Sequence, residues 1–216
     1  MTGGPRIAVL DYGIGNLRSA EKALQHVGAA ARLVTDPAEV EAAHAVVLPG
    51  VGAFGACARA LRESGLEKVA RAAIAADVPF LAVCIGFQLL YEGSDENVDE
   101  NDANGQELGL GVFPGRVTAL APTVKHPQMQ WNQLELVGPA REPGPASLRG
   151  LGPRPWVYFV HSFAPPVGAE TVAVCDYGGP VAALVERGNL WGAQFHPEKS
   201  GRSGLGLLAN FVALAA

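Results

Sequence analysis

The chain has 216 residues, about 1.4 times a typical domain length of roughly 150, which favours a single domain spanning 1–216 with a core of ordinary size. Hydrophobic residues make up 49% and charged residues 17%, which excludes a disordered or collagen-like chain because ample apolar surface is present to bury. Sixteen Lys and Arg against 21 Asp and Glu leave a net charge of −5, so no broad basic face for nucleic acid is expected.

Arg6 to Asp11 is a short apolar run that ends in Tyr12, Gly13, Ile14, Gly15 and Asn16, and from Leu17 to Val27 apolar positions recur at helical spacing. This strand, turn and helix unit repeats. Ala31 to Val34 precedes a helix from Pro37 to Ala43, Ala45 to Leu48 precedes one from Phe54 to Ala76, and Val78 to Val83 precedes one from Gly86 to Tyr91. Strands apolar on both faces and alternating with helices predict βαβ crossovers and a parallel sheet covered on both sides. Beyond residue 92, strands are expected at Val117 to Leu120, Trp131 to Val137, Trp156 to Val160, Thr171 to Asp176, Ala182 to Glu186 and Leu190 to Phe195, then a helix from Leu205 to Leu214. They read as additions completing the first sheet. Gly138 to Pro155, with five prolines and four glycines, reads as a surface loop rather than a linker.

Three cysteines, Cys57, Cys84 and Cys175, are too few for a disulfide framework and show no C-x-x-C spacing, as expected of reduced thiols in a cytosol. No apolar run approaches the roughly 18 residues of a spanning helix, and Met1 to Pro5 lack the regions of a signal peptide. The expected setting is cytoplasmic, with no membrane contact.

Cys84 falls where a buried strand gives way to a helix. A nucleophile on such a sharp turn projects above the sheet edge and needs small neighbours, which Ala82 and Gly86 supply, and the helix N-terminus that follows favours an anion. A buried inert thiol is the competing reading, and it is the expected one for Cys57 and Cys175. Gln194, Phe195, His196, Pro197 and Glu198 form the second feature. Pro197 ends the strand, and because residues i and i+2 share a side, Glu198 can orient the His196 ring. Cysteine, histidine and carboxylate then supply the nucleophile, base and orienter of acyl transfer.

Gly50 to Gly55 matches G-x-G-x-x-G, but it follows the third predicted strand, where a dinucleotide fingerprint is out of place. It can be an ordinary turn, or it can aim backbone N–H groups at an oxyanion together with Ile85 N–H. A peptide flip in Gly50, Val51 and Gly52 would then act as a switch. His161 ends a strand and is an alternative base, though substrate contact suits it better; His26 and His44 are expected on the surface. Between Glu92 and Glu107 lie seven acids (Glu92, Asp95, Glu96, Asp99, Glu100, Asp102, Glu107) and no Lys or Arg, a pattern that usually marks a solvated loop but from which one acid could hold a substrate ammonium.

Ala82 to Gln88 together with Gln194 to Glu198 resemble the class I (triad-type) glutamine amidotransferases over nearly the whole chain. Tyr12 to Leu17, Leu48 to Phe54 and Tyr158 to Ser162 narrow the resemblance to the glutaminase-subunit family of imidazole glycerol phosphate synthases, which serves histidine biosynthesis. The resemblance implies a flavodoxin-like α/β fold with a mostly parallel central sheet and added strands in the second half. It implies a glutaminase with Cys84 as nucleophile, His196 as acid and base and Glu198 as orienter. Gln88, Glu96, His161, Ser162 and Phe163 would bind glutamine, and Val51, Gly52 and Ile85 would form the oxyanion site, with no cofactor or metal. It further implies a heterodimer with a cyclase subunit, a (β/α)8 barrel that receives the ammonia; the chain ends soon after Glu198, so the acceptor site is expected on another polypeptide. The family usually carries Pro-His-Met-Gly-Trp-Asn where this chain has Pro127 to Asn132, with Gln128 and Gln130 replacing the His and Gly, a departure that bears on partner contacts. A glutaminase subunit of pyridoxal phosphate synthase, which would carry a different glycine turn, and a non-catalytic regulatory subunit, which would lack a triad residue, are the alternatives.

Overall fold

The computed structural model describes residues 3–96, 108–137 and 144–216. The first half runs β1 (Arg6–Leu10), α1 (Leu17–His26), β2 (Ala30–Val34), α2 (Pro37–Glu41), β3 (Ala45–Gly50), α3 (Phe54–Glu63), α4 (Leu66–Ala75), β4 (Phe80–Cys84) and α5 (Ile85–Gln88). The second half runs β5 (Gly93–Ser94), β6 (Arg116–Ala119), β7 (Gln128–Gln133), β8 (Glu135–Leu136), β9 (Trp156–His161), β10 (Phe163–Ala164), β11 (Thr171–Asp176), β12 (Pro180–Arg187), β13 (Leu190–Ala193) and α6 (Gly201–Leu214).

An eight-stranded sheet in the order β2-β1-β3-β4-β13-β12-β11-β8 forms the centre. The five strands from β2 to β13 are mutually parallel, and β12, β11 and β8 continue the sheet antiparallel. All residues of β3, β4 and β13 are buried, the double-sided burial that their unbroken apolar runs predict. Because β2 lies on one side of β1 and β3 on the other, right-handed crossovers put α1 on one face and α2, α3 and α4 on the opposite face. Helix α6 packs with α1, and one hydrophobic cluster runs through both halves of the chain.

The expected α/β architecture is present, but several elements differ from their sequence pattern. The run from Phe54 to Ala76 is two helices, because Gly65 adopts a left-handed φ of +76° and the Ser64 hydroxyl donates to the Leu61 carbonyl at 2.9 Å, ending α3 there. Helix α5 stops at Gln88 rather than Tyr91. The carbonyls of Leu89, Leu90 and Tyr91 are taken by N–H groups of Leu110, Val112 and Gly111 at 2.6, 2.7 and 3.1 Å, so a segment distant in sequence replaces the next helical turn. The expected strand from Trp131 to Val137 is divided. β7 pairs with β9 as a separate ribbon, while β8 joins the main sheet. Likewise β5, β6 and β10 form a small sheet of their own, so only part of the second half extends the first sheet. Residues 138–143 of the expected Gly138 to Pro155 loop lie outside the described residues. Farther along it, a short 3-10 turn at Ala146–Leu148 is anchored by Glu186, which accepts from the Ser147 hydroxyl at 2.6 Å.

The carboxyl ends of β1, β3, β4 and β13 meet at one edge, where open α/β sheets place ligands. Their approach depends on glycine. A Cβ on Gly86 would lie 2.0 Å from the Leu48 carbonyl oxygen, and one on Gly50 would lie 2.7 Å from the Gly86 nitrogen. Gly86→Ala is therefore expected to force β3 and α5 apart and to lower stability by about 1–3 kcal/mol or more, read as a lower urea midpoint.

Candidate active site

Cys84 ends β4 with φ +54° and ψ −113°, and apart from Asp77 it is the only non-glycine residue with positive φ among the described residues. Such a backbone costs roughly 1–3 kcal/mol and persists only where its surroundings enforce it. Here the strand is held between β3 and β13, and the chain must turn at once into α5 beneath the Leu48 carbonyl. Cys84 consequently stands at the sheet edge where α5 begins, facing the cavity described below. Ile85 is the first helical residue, so its N–H has no acceptor within the helix.

His196 lies three residues beyond β13 and begins the 3-10 turn Pro197–Lys199. Its Nδ1 is 2.8 Å from Glu198 Oε1, with the two side chains 2% and 5% exposed. The backbone is fixed from both sides. His196 N–H donates to the Tyr158 carbonyl at 3.0 Å, and the buried Ser200 hydroxyl donates to the His196 carbonyl at 2.6 Å. Burial by itself pushes the imidazole down, but the neighbouring Cys84 thiol and the Glu198 carboxylate outweigh it and raise the group to about 10. His196 Nε2 has no partner among the described side chains and remains available for proton transfer.

A cavity of about 260 Å³ opens beside Cys84, lined by Val51, Gly52, Cys84, Ile85, Gln88, Glu96, Pro127, Val160, His161, Ser162, Phe163 and His196. Every site residue expected from the sequence faces it except Glu198, which stands behind His196. Gln88 donates through Nε2 to the Phe163 carbonyl at 2.9 Å and to Gln194 Oε1 at 3.1 Å, leaving its buried Oε1 as a free acceptor. Glu96 accepts from Phe54 N–H at 2.7 Å through one oxygen, which fixes a carboxylate in the wall. Of the other acids in that run, Glu92 accepts from Gly115 N–H and Asp95 pairs with Arg116, while Asp99, Glu100, Asp102 and Glu107 lie outside the described residues.

The second histidine of the cavity has the opposite character. His161 Nδ1 lies 2.9 Å from the Phe163 carbonyl, which fixes Nδ1–H and leaves the buried Nε2 as an acceptor. Burial, only partly opposed by that hydrogen bond, lowers it to about 4, so it stays neutral where His196 is charged. This favours His161 for substrate contact and His196 for proton transfer. Cys57 and Cys175 are fully buried and reduced, and His26 and His44 are exposed, each as expected. Gln128 is buried with Nε2 3.6 Å from Cys175 Sγ, whereas Gln130 is exposed.

Sequence reasoning gave no role to Gln194 or Ser200. Gln194 Nε2 points at Cys84 Sγ from 3.9 Å while its Oε1 holds Gln88, so it ties Cys84 to the cavity wall. Gln194 lies in the segment the sequence singled out, but β13 ends at Ala193 and strand parity does not carry on through the 3-10 turn to Glu198; Ser200 acts both on the His196 carbonyl four residues back and across the fold, accepting from Tyr158 N–H at 3.0 Å.

Opposite shifts have opposite consequences for stability. The folded value of His196 lies above the ordinary 6.5, so its contribution is complete below about 6.5 and is lost as pH rises through about 10. For His161 the folded value lies below 6.5, so stability is lost as pH falls from about 6.5 toward 4. Imidazole NMR titration should find His196 protonated and His161 neutral at pH 7; a His196 resonance titrating near 6.5 would contradict the coupling to Cys84 and Glu198.

Comparison with known proteins agrees with this geometry. The family described as glutamine amidotransferase class-I matches residues 8–214. The chain is 44% identical to the imidazole glycerol phosphate synthase subunit HisH of Synechococcus elongatus, over 98% of this chain and 94% of that protein. It is 47% identical to the HisH subunit of Thermosynechococcus vestitus, over 97% of each, and 46% identical to that of Deinococcus radiodurans, over 96% of this chain and 93% of that protein. Among solved structures, a glutamine amidotransferase superposes with a TM-score of 0.72 at 22% identity, covering 97% of this chain and 98% of the other. PurLQS from Thermotoga maritima superposes at 0.69 with 18% identity, covering 98% and 97%. With a family match spanning nearly its whole length and close relatives at this level of identity, the chain belongs to the class I glutamine amidotransferases.

Proposed function

We propose that the chain is the glutaminase subunit of an imidazole glycerol phosphate synthase, acting in the cytoplasm through Cys84, His196 and Glu198. The observation that carries the reading is the meeting, at one cavity, of a strained strand-end cysteine with a buried His196–Glu198 pair 2.8 Å apart. The identity of 44–47% to HisH subunits supports this choice of synthase.

In the proposed reaction Cys84 Sγ, as thiolate, attacks the side-chain amide carbon of glutamine. The charge that develops on the amide oxygen falls to Ile85 N–H and to an N–H of the Val51 and Gly52 turn. His196 Nε2 gives its proton to the departing nitrogen, which leaves as ammonia and a thioester on Cys84. His196 then takes a proton from water, which hydrolyses the thioester and releases glutamate. Glu198 holds the ring through Nδ1 and steadies the imidazolium without touching substrate. Gln88 Oε1 and the Glu96 carboxylate face the cavity as acceptors for the substrate ammonium, with His161, Ser162 and Phe163 completing the wall.

The ammonia passes to a cyclase partner, a (β/α)8 barrel in a heterodimer with this chain, which forms imidazole glycerol phosphate and AICAR. The β7–β9 ribbon supports a docking site next to the cavity. It contributes Val160 and His161 to the wall and displays Met129 and Trp131, 61% and 47% exposed, with Trp131 edge-on to Tyr158. Gln130, one of the two departures from the usual family segment, lies exposed on the same strand, so partner contacts there differ from those of a glycine.

Cys84→Ser should lose glutamine turnover by several orders of magnitude, and a glutamine-like electrophile should label Cys84 while sparing Cys57 and Cys175, as read by mass spectrometry. His196→Asn should abolish glutamine-dependent synthesis while added ammonium still supports the partner; loss with His161→Asn alone would reverse the two roles. Glu198→Gln should lower kcat and leave KM nearly unchanged.

The cyclase, occupied by its nucleotide substrate, should also raise the glutaminase rate. A displaced oxyanion donor costs roughly 100-fold to 1,000-fold. Equal rates for the chain alone, with cyclase, and with cyclase plus nucleotide would remove the switch.

A further inference from the structure

The small sheet of β10, β6 and β5 carries two parts of the cavity wall on its outer strands. On one side β10 pairs with β6, Phe163 opposite Ala119 and Ala164 opposite Thr118, and Leu120 N–H donates to the Ser162 carbonyl at 2.9 Å. Those bonds fix the wall segment of Ser162 and Phe163. On the other side β5 runs parallel to β6, with Gly93 opposite Arg116 and Ser94 opposite Val117. Glu96 lies two residues past the end of β5, so β6 sets the spacing between its carboxylate and the Ser162–Phe163 wall.

Backbone pairing with β6 runs out just before Glu96. Glu92 N–H donates to the Gly115 carbonyl at 3.1 Å and Asp95 N–H to the Val117 carbonyl at 2.9 Å, and there the ladder stops. Arg116 takes over at that point. Its Nη2 donates to the Ser94 carbonyl at 2.6 Å and its Nε to Asp95 Oδ1 at 2.7 Å, so one planar guanidinium grips two successive residues. The Asp95 side chain is thereby drawn toward β6, while Glu96, the next residue, is turned into the cavity. Glu96 N–H donates to Ser94 Oγ at 3.0 Å and its carboxylate accepts from Phe54 N–H at 2.7 Å, so the charge enters the cavity at a set place. Arg116 does not itself line the cavity. With the Arg116 and Asp95 side chains 30% and 51% exposed, their ion pair adds little to folding stability; what it governs is where residues 94–96 lie.

We propose that Arg116 is a positioning residue that locks the end of β5 onto β6 and so presents Glu96 to the α-ammonium of the substrate, setting affinity and selectivity for an α-amino acid head group. The identity of the ligand rests on the glutaminase reading; the lock itself does not. The α-ammonium is remote from the amide carbon where bonds change, and its charge is the same in the ground and transition states. A displaced Glu96 therefore weakens both states alike, which raises KM and leaves kcat as it was. A ligand without the α-amino group offers Glu96 nothing to hold, and its binding does not depend on the lock.

Two measurements on the full-length chain test this. Amide hydrogen exchange should quicken at Asp95 and Glu96 in Arg116→Gln and stay as in the wild type at Leu120, on the other side of β6. Steady-state kinetics with the cyclase present should show KM for glutamine rising about threefold to tenfold in Arg116→Gln with kcat unchanged, a part of the loss expected from removing a charge-assisted bond outright. Arg116→Lys, which keeps a charged donor without the planar fork, should recover part of that affinity. Glutaramate, which is glutamine without its α-amino group, should inhibit the wild type and Arg116→Gln equally. Unchanged exchange at Asp95 and Glu96 would overturn the lock. An unaltered KM for glutamine, or an equal loss of affinity for glutamine and glutaramate, would overturn its part in holding the ammonium. A wild-type chain that never hydrolyses glutamine, with the exchange pattern as expected, would overturn the glutaminase reading and leave the lock standing.

Discussion

Backbone contact between the ends of β3 and β4 is the constraint on which the rest of the site depends. In the parallel register Gly50 lies opposite Cys84, and Gly86 sits against the Leu48 carbonyl at a distance no side chain allows. That contact forces the chain to turn sharply after β4, and the turn places Cys84 in a conformation its side chain disfavours. The same contact brings the glycine turn beside Ile85, so candidate nucleophile and candidate oxyanion donors come from one steric requirement. Packing of two strands thus holds a strained residue that no local interaction would stabilise.

Charge is organised around that point by contrast. Two histidines face one cavity, yet one is raised and the other lowered, because His196 stands between a thiol and a buried carboxylate whereas His161 has only a backbone carbonyl to offset its burial. An imidazolium beside a thiol is the arrangement a thiolate needs, and a neutral imidazole with an open Nε2 can accept a hydrogen bond without competing for the proton. Gln194 links the two sides of the cavity by reaching both Cys84 and Gln88.

The cavity is also connected to elements outside the chemistry. Its wall includes the end of the β7–β9 ribbon, which lies off the main sheet and exposes aromatic surface. The glycine turn is tied to β1 through Tyr12 and to α3 through Cys57 and Glu96, the last by way of Phe54 N–H.

The sequence by itself determined the parallel βα core and the strand-to-helix position of Cys84, because unbroken apolar runs and small flanking residues are local properties; His196 and Glu198 do meet, but through the 3-10 turn Pro197–Lys199 rather than the i, i+2 parity of an extended strand, since β13 ends at Ala193. Apolar periodicity did not reveal the break at Gly65, where a φ of +76° ends a helix whose pattern continues, nor the early stop of α5, after which the carbonyls of Leu89, Leu90 and Tyr91 bond to residues about twenty positions away. The separation of β7 from β8 was equally hidden, since pairing partners depend on strands far along the chain. The choice between His196 and His161 was open in the sequence. Tertiary structure favoured His196, because the pKa of an imidazole depends on burial and on neighbours brought together only when β4 and β13 of the main sheet and β9 of the separate ribbon end at one cavity.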